Sequence, residues 1–521
     1  MGDTPAFELT DFPLLREARG HWDAGRLDAA LGLFSRAVDR EPRNVKALLE
    51  AARAYGARHE VARAEELIAR AEALAGDDPR VATAVAQSYR FAHRPARAVA
   101  TLERLRALPA GLAPNMLAEL ATLYEQAGEL EKAYEAIAAC VDRAAGHDEP
   151  RLVLARIQRQ RGELAEAERV LLDVASRLAS RGGSPGLAVQ VWGEMCQLRD
   201  RQGDYDGAVA AIEKAKAILR AAPEAVRLSK QALVNNEVLG RLYAALDSAT
   251  LDAWRAEHLP PDPRVSGVAH LLGFPRSGTT LLEQVLAAHP GLVDSPERVV
   301  FSRDVLPALY RPGGTEPLTL DALRAVPRGR LVAQRVRYLD AMEAALGEPL
   351  GGRVHLDKNP NHTSLVAGLV RLFPESNLLV SLRDPRDVVV SAYLRNFHLT
   401  EFSASFLTWG GTCLMYAFEM GVWLRLRGLM DGNWLEVRYE DAVAGLAGQA
   451  RRALEFLGLP WDESVMGYRE RGRGKVVNSP THDAVREPVY TRAVGRWRHY
   501  EKHLAPYLGR LEPFVKVFGY G

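Results

Sequence analysis

Two stretches of the chain set glycines, hydroxyls and arginines at spacings suited to phosphate-like anions. In Gly273-Phe-Pro-Arg-Ser-Gly278-Thr279-Thr280 two glycines flank four residues. An apolar run precedes them, and a helical pattern follows with Leu281, Leu282, Val285 and Leu286 on one face. In this context loop amides cradle anionic oxygens and the helix N-terminus adds partial positive charge. Thr279 stands where nucleoside-triphosphate loops carry lysine, while Arg276 supplies a cation from inside the loop. In ATP or GTP hydrolysis that lysine and Mg²⁺ offset the charge of a γ-phosphate. A sulfuryl group carries much less charge, so one or two cations and no metal suffice. The second stretch is SLRDPRDVVVSAYLR, residues 381–395. It places Arg383 at a strand end, turns at Asp-Pro and opens a helix near Pro385. Arg383 and Ser391 together make a cation-plus-hydroxyl clamp for an isolated phosphate.

These residues need a scaffold that gathers them. Apolar runs at 268–274, 353–359, 377–383 and 434–440 read as strands, with helical patterns between them. Strands alternating with helices predict a mostly parallel α/β sheet, whose ligands sit at the carboxyl ends of the strands. The first 220 residues read differently. Ala30, Ala64, Ala98, Ala133, Ala167 and Ala208 recur in register, and Tyr55, Tyr89 and Tyr124 recur half a repeat earlier. Small residues at such a period let paired helices approach closely. The expected fold class is therefore α plus α/β. A helical repeat array spans about residues 11–220 as six pairs, a helical linker runs from 221 to 264, and an α/β domain covers 265–521.

Bulk composition excludes some roles. Sixty-seven Lys and Arg balance 66 Asp and Glu, so bulk charge favours neither nucleic acid nor a membrane surface. The three cysteines, Cys140, Cys196 and Cys413, are too widely spaced for a disulfide framework or a zinc pair. The opening MGDTPAFELTDFP lacks the basic and apolar regions of a signal peptide, and no apolar run has the length of a membrane span. The expectation is a cytoplasmic protein.

The repeats resemble tetratricopeptide repeats, and GFPRSGTTLL resembles the 5′-phosphosulfate-binding loop of sulfotransferases that use 3′-phosphoadenosine 5′-phosphosulfate (PAPS). Arginine before Ser-Gly-Thr-Thr is most similar to the tyrosylprotein sulfotransferases and their bacterial tetratricopeptide-fused relatives. The resemblance covers about residues 265–520. It implies that Pro275, Arg276, Ser277, Gly278, Thr279 and Thr280 bind the phosphosulfate. Arg383 and Ser391 grip the 3′-phosphate in this reading. Arg395, one helical turn past Ser391, adds a basic contact. Glu297, in HPGLVDSPERVVF, matches the family's catalytic glutamate, with Asp294 a nearby competitor. A positioned carboxylate can take the proton of an acceptor hydroxyl. Lys358, in HLDKNPNH, matches a lysine that stabilises the bridging oxygen as it leaves, a task shared with Arg276. In the closing segment Thr481 stands for the family's serine and Ala484 for its glutamine. Thr481 is implied to bind the cofactor, Arg486 and Arg496 match basic positions that reach its phosphates, and Tyr439 matches a tyrosine at the acceptor or phosphosulfate side, while Trp497 and Tyr500 read as core.

The implied activity moves a sulfuryl group from PAPS to an acceptor hydroxyl, with no metal, giving a sulfate ester and 3′,5′-ADP. The acceptor is a peptide or protein tyrosine, a glycan or a small phenol. The repeat array is expected to bind a protein or peptide partner, or to pair two copies as a homodimer. Two rival readings remain at this point. One is a P-loop kinase, which Thr279 argues against. The other is a non-catalytic interaction protein, which the retained set of Arg276, Glu297, Lys358, Arg383 and Ser391 argues against.

Overall fold

The computed structural model describes residues 8–521 except 24–25, 59, 77, 93, 109–110, 145, 312–313, 315–316 and 470–492. The chain divides into two compact units. One takes the described residues up to 167 together with 341–349, and the other takes those of 168–340, 350–469 and 493–521.

Twelve helices follow one another. They are α1 (Pro13–Asp23) with α2 (Leu27–Arg40), α3 (Val45–Ala57) with α4 (Val61–Ala75), and α5 (Pro79–Phe91) with α6 (Pro95–Arg106). Next come α7 (Pro114–Ala127) with α8 (Leu130–Arg143), then α9 (Asp148–Arg161) and α10 (Leu164–Arg181), and α11 (Pro185–Gln202) with α12 (Tyr205–Ala221). All six in-register alanines have no exposed surface. A methyl group there lets helix backbones approach, and larger neighbours fill the gaps. Tyr89 and Tyr124 are buried, and their hydroxyls donate to Glu72 and Glu103 on the preceding helix. Helices α7, α9 and α11 are closed by Gly128, Gly162 and Gly203, with φ of 79°, 88° and 81°. That left-handed backbone closes a helix and favours glycine. Two further helices, α13 (Pro223–Ala245) and α14 (Ser248–Ala256), occupy the expected linker.

The second unit is built on five strands: β1 (Val265–Gly273), β2 (Leu292–Pro296), β3 (Arg353–Lys358), β4 (Asn377–Leu382) and β5 (Trp434–Arg438). They lie in the order β2-β3-β1-β4-β5, and every neighbouring pair is parallel. Helix α15 (Thr279–Ala287) follows β1 directly. Then come α16 (Leu306–Tyr310), α17 (Leu320–Arg324), α18 (Arg328–Leu346), α19 (Val366–Leu372), α20 (Pro385–Tyr393) and α21 (Trp409–Arg427). The inner strands β1, β3 and β4 are buried along most of their length, as a sheet covered on both faces requires. The chain runs from β1 toward β2 and β3 on one side, and from β4 to β5 on the other. The crevice where connections diverge therefore opens between the carboxyl ends of β1 and β4.

Four strands fall within a few residues of the apolar runs. β2 is the exception, since none of the four apolar runs covers it. It is a five-residue edge strand ending in proline, and so short an alternation gives no clear signal. Among the described residues no helix is long and apolar enough to cross a membrane.

Candidate active site

The loop after β1 is held from both sides. Gly273 has φ of 130°, and a Cβ there would lie 2.4 Å from the Ser381 carbonyl oxygen. Thr363 Oγ1 donates to the Gly273 carbonyl (2.8 Å) and accepts from its amide (3.0 Å). Ser381 Oγ, on β4, donates to the Ser277 carbonyl at 2.8 Å. Gly278 has φ of 103°, and a Cβ on it would meet Tyr439 Cδ2 at 2.7 Å. The Tyr439 ring therefore lies against the loop. Helix α15 starts at Thr279, and the Gly278 carbonyl accepts the Leu281 and Leu282 amides at 3.1 and 3.3 Å. Ser277, Thr279 and Thr280 are all buried.

The two arginine motifs meet here. Arg276 donates from Nε to Ser391 Oγ at 3.1 Å, across 115 residues of chain. Arg383 donates to the Arg276 carbonyl at 3.2 Å and to the Ala493 carbonyl, and its guanidinium carbon lies 5.0 Å from the Tyr439 ring centroid. Its Nε is buried with no hydrogen-bond partner among the described residues. Such a group is costly unless an acceptor arrives, which an anionic ligand provides.

On the other side of β1, Lys358 ends β3 and is 1% exposed. Its ammonium donates to Glu297 Oε1 at 2.7 Å and lies 3.3 Å from Glu283 Oε2. Glu297 follows β2, and its amide donates to the Lys358 carbonyl at 2.6 Å. Burial pulls the Lys358 ammonium down, but Glu283 and Glu297 outweigh it and hold it above its usual value. Burial pushes the Glu283 carboxyl up to about 8. Of the four non-glycine residues with left-handed backbone among those described, two are Arg276 (φ 78°) and Glu297 (φ 49°). Strained backbone of this kind persists where surroundings impose it, and it clusters at functional sites. The carboxyl ends of all five strands thus deliver Glu297, Lys358, the glycine loop, Arg383 and Tyr439 in spatial order.

Two regions of the chain are similar to known proteins. Residues 270–463 match the profile described as "Sulfotransferase family", and residues 21–88 match "Tetratricopeptide repeat". Residues 270–463 form a sulfotransferase-family domain. The chain is 29% identical over 259 residues to an uncharacterized protein of Aquifex aeolicus, covering 47% of this chain and 32% of that one. It is 27% identical over 267 residues to "Protein-tyrosine sulfotransferase 2" of Gallus gallus, covering 48% and 70%. Among solved structures it matches the "Sulfotransferase Domain from the Synechococcus PCC 7002 Olefin Synthase" at 21% identity and a TM-score of 0.33, covering 46% of this chain and 89% of that one. The chain thus spans about a third of the first relative's length and about two thirds of the second's.

Other expected residues of the sulfotransferase domain lie farther out or elsewhere. Helix α20 ends at Tyr393, so Arg395 sits in the turn beyond it, its amide 3.4 Å from the Ala392 carbonyl. Arg496 donates to Asp200 of α11, and Tyr500 donates to the same carboxylate. Trp497 and Tyr500 are buried, as their core reading expects. Asp294 lies within β2, three residues before Glu297. Thr481 and Arg486 lie outside the described residues.

Several contributors went unnoticed in the sequence. Glu283 sits on the buried face of α15, among leucines that read as core. Asp387, one turn after Arg383, accepts the amides of Gly495 and Trp497 at 2.7 Å each, and burial raises its carboxyl. Asn359 donates to the Arg298 carbonyl at 3.0 Å, which pins the turn carrying Glu297. The last helix pair also packs within this unit. Gln197 donates to the Leu394 carbonyl at 2.7 Å, Lys216 to that of Phe406, and Arg220 to that of Leu407 at 2.8 Å. A repeat motif reports its own period, and nothing in that period marks which copy braces a neighbour.

Proposed function

We propose that this site transfers the sulfuryl group of PAPS to an acceptor hydroxyl. The observation that carries the reading is the single strand-end row. It sets a Lys358–Glu297 pair at one end and, at its centre, a glycine loop with Arg276 against Ser391. The loop amides and Arg276 would hold the phosphosulfate, and Arg383 with Ser391 the 3′-phosphate. Arg395, Tyr439, Thr481, Arg486 and Arg496 are the further candidate contacts. Glu297 takes the proton of the acceptor hydroxyl as its oxygen bonds to sulfur. The bond from sulfur to the bridging oxygen breaks with its electron pair on that oxygen, and Lys358 stabilises the charge that develops there. In the structure Lys358 and Glu297 neutralise each other, so each is freed for its task when the other's partner changes.

Tyrosine in a peptide or protein is the acceptor we favour, because several of the similar proteins carry the name protein-tyrosine sulfotransferase. The repeats would present such a substrate or another protein partner. Incubation with PAPS and tyrosine-containing peptides tests this, with 3′,5′-ADP release and sulfated peptide as the readouts. Release dependent on peptide is expected, and it should survive EDTA. A complete loss reversed by Mg²⁺ would point instead to phosphoryl transfer.

A further inference from the structure

Lys358 touches two carboxylates, and the proposed reaction occupies only one of them. Glu283 supplies the other. It projects from α15, one helical turn after Thr279, so the helix that opens at the glycine loop also reaches Lys358. The position is 3% exposed and flanked by the buried Leu282, Val285 and Leu286. Packing alone favours an apolar side chain there, and a buried carboxyl is costly without a partner. Its Oε2 lies 3.3 Å from Lys358 Nζ, while Oε1 has no hydrogen-bond partner among the described residues.

Consider what happens when Glu297 accepts the acceptor proton. Its carboxylate becomes neutral, and its attraction for Lys358 falls from an ion pair to a hydrogen bond. Lys358 then remains as a buried ammonium at the moment when the leaving oxygen needs its charge in place. A buried charge that loses its partner is strongly disfavoured. Glu283 is the one other carboxylate in contact with it among the described residues. From this we infer that Glu283 is a positioning residue, a reserve counter-ion that keeps Lys358 charged and aimed while Glu297 carries the proton. The inference rests on the sulfuryl-transfer reading above.

The surrounding charges fit that role. Burial is the largest influence on Glu283, pushing it up to about 8, while Lys358 draws it down and Asp294 and Glu297 push it further up. Arg298 on the same side also interacts with it. When Glu297 is protonated, its share of that upward push disappears, so Glu283 ionises more readily as Lys358 loses its first partner.

Two measurements test this. The first is a melting cycle with Glu283→Leu, Glu297→Gln and both together, which needs no turnover. With Glu297 intact, Glu283→Leu should shift the melting temperature by no more than about 2 °C. In the Glu297→Gln background it should cost about 5 °C, because Lys358 is left buried and unpaired. Equal shifts in the two backgrounds mean plain packing and overturn the inference. If the double variant does not fold, Glu283→Gln in the same background should show a smaller shift of the same sign. The second measurement is steady-state transfer. Glu283→Leu should lower kcat by about 10- to 100-fold with KM for PAPS within about twofold, and Glu283→Gln should recover part of the loss. An unchanged kcat, or a loss confined to KM, overturns it. Transfer by the unaltered chain is measured first and bears on the proposed function alone, so the two readings fail separately.

Discussion

The repeat array and the strand-end site spend polar residues in opposite ways. In the array a tyrosine hydroxyl reaches a glutamate on the helix just before it, and the same arrangement recurs one repeat later. Its buried small residues are interchangeable copies, each doing for one pair what the next does for its own. In the site every polar residue is a single instance, drawn from a span running from Gly273 to Tyr439. Several are buried ions or strained backbones. Repetition spreads stability over many equal contacts, whereas a site concentrates energetic cost in a few groups whose purpose is a ligand. Substitutions should therefore act in different currencies: turnover in the site, melting in the array.

The largest expected effect is on Glu297. Glu297→Gln keeps shape and hydrogen bonding but removes the base, so turnover should fall by about 10²- to 10⁴-fold. Protection against melting by 3′,5′-ADP should hardly change, because Arg276, Arg383 and Ser391 are untouched. Near-normal turnover would falsify the assignment and direct attention to Asp294. Lys358→Met comes next, with a loss of about 10²- to 10³-fold, the usual worth of one donor to a developing oxyanion. If kcat survives while nucleotide binding fails, Lys358 belongs to ground-state binding instead.

Ser391→Ala sharpens the picture on the nucleotide side of the site. Removing a hydrogen bond to a charged phosphate should weaken 3′,5′-ADP about 10- to 100-fold. Binding of 5′-AMP should change little, and equal weakening of both nucleotides would remove Ser391 from the 3′-phosphate. In the array, Ala98→Leu forces a larger side chain into a position with no exposed surface. Overpacking costs about 1–3 kcal/mol, or several degrees in the array's melting transition by circular dichroism. An unchanged transition would mean that the helix pairs separate more easily than their packing implies.

The smallest effect is on pH dependence, and it belongs to the sheet unit. Burial lowers His270 to about 3, His355 to about 4 and His362 to about 3. Folded values depressed below 6.5 give stability that is complete above pH 6.5 and is lost as pH falls toward 4 and 3. Burial raises Asp357 to about 7, and Glu283 and Glu419 to about 8. Folded values raised above 3.8 and 4.5 give stability that is complete at low pH and is lost as pH rises through 7 to 8. Lys216, lowered to about 7 by burial, regains some stability above that point. The melting temperature should therefore be highest near pH 5–6.5 and fall on both sides, by about 1.4 kcal/mol per pH unit for each group titrating. A steady rise from pH 6.5 to 8 would contradict these burial effects.

Much of this was legible along the chain. The alanine period marked the helix pairs because one contact repeats at one interval. The glycine loop, Arg383 and Ser391 could be recognised because anion binding needs amides, a cation and a hydroxyl close to strand ends, and strand ends follow apolar runs. The family resemblance supplied Glu297 and Lys358 as candidates, and their pairing appeared only in the folded chain. What stayed hidden has a common physical reason. β2 is too short to show alternation, and its pairing with β3 depends on a strand some 60 residues away. Glu283 looks like one polar residue in a helix until the fold places Lys358 3.3 Å from it. Asp200 and Lys216 look like ordinary repeat residues until α11 and α12 meet Arg496 and Phe406. Local order records what a residue is able to do, and long-range packing decides which distant partner it does it with.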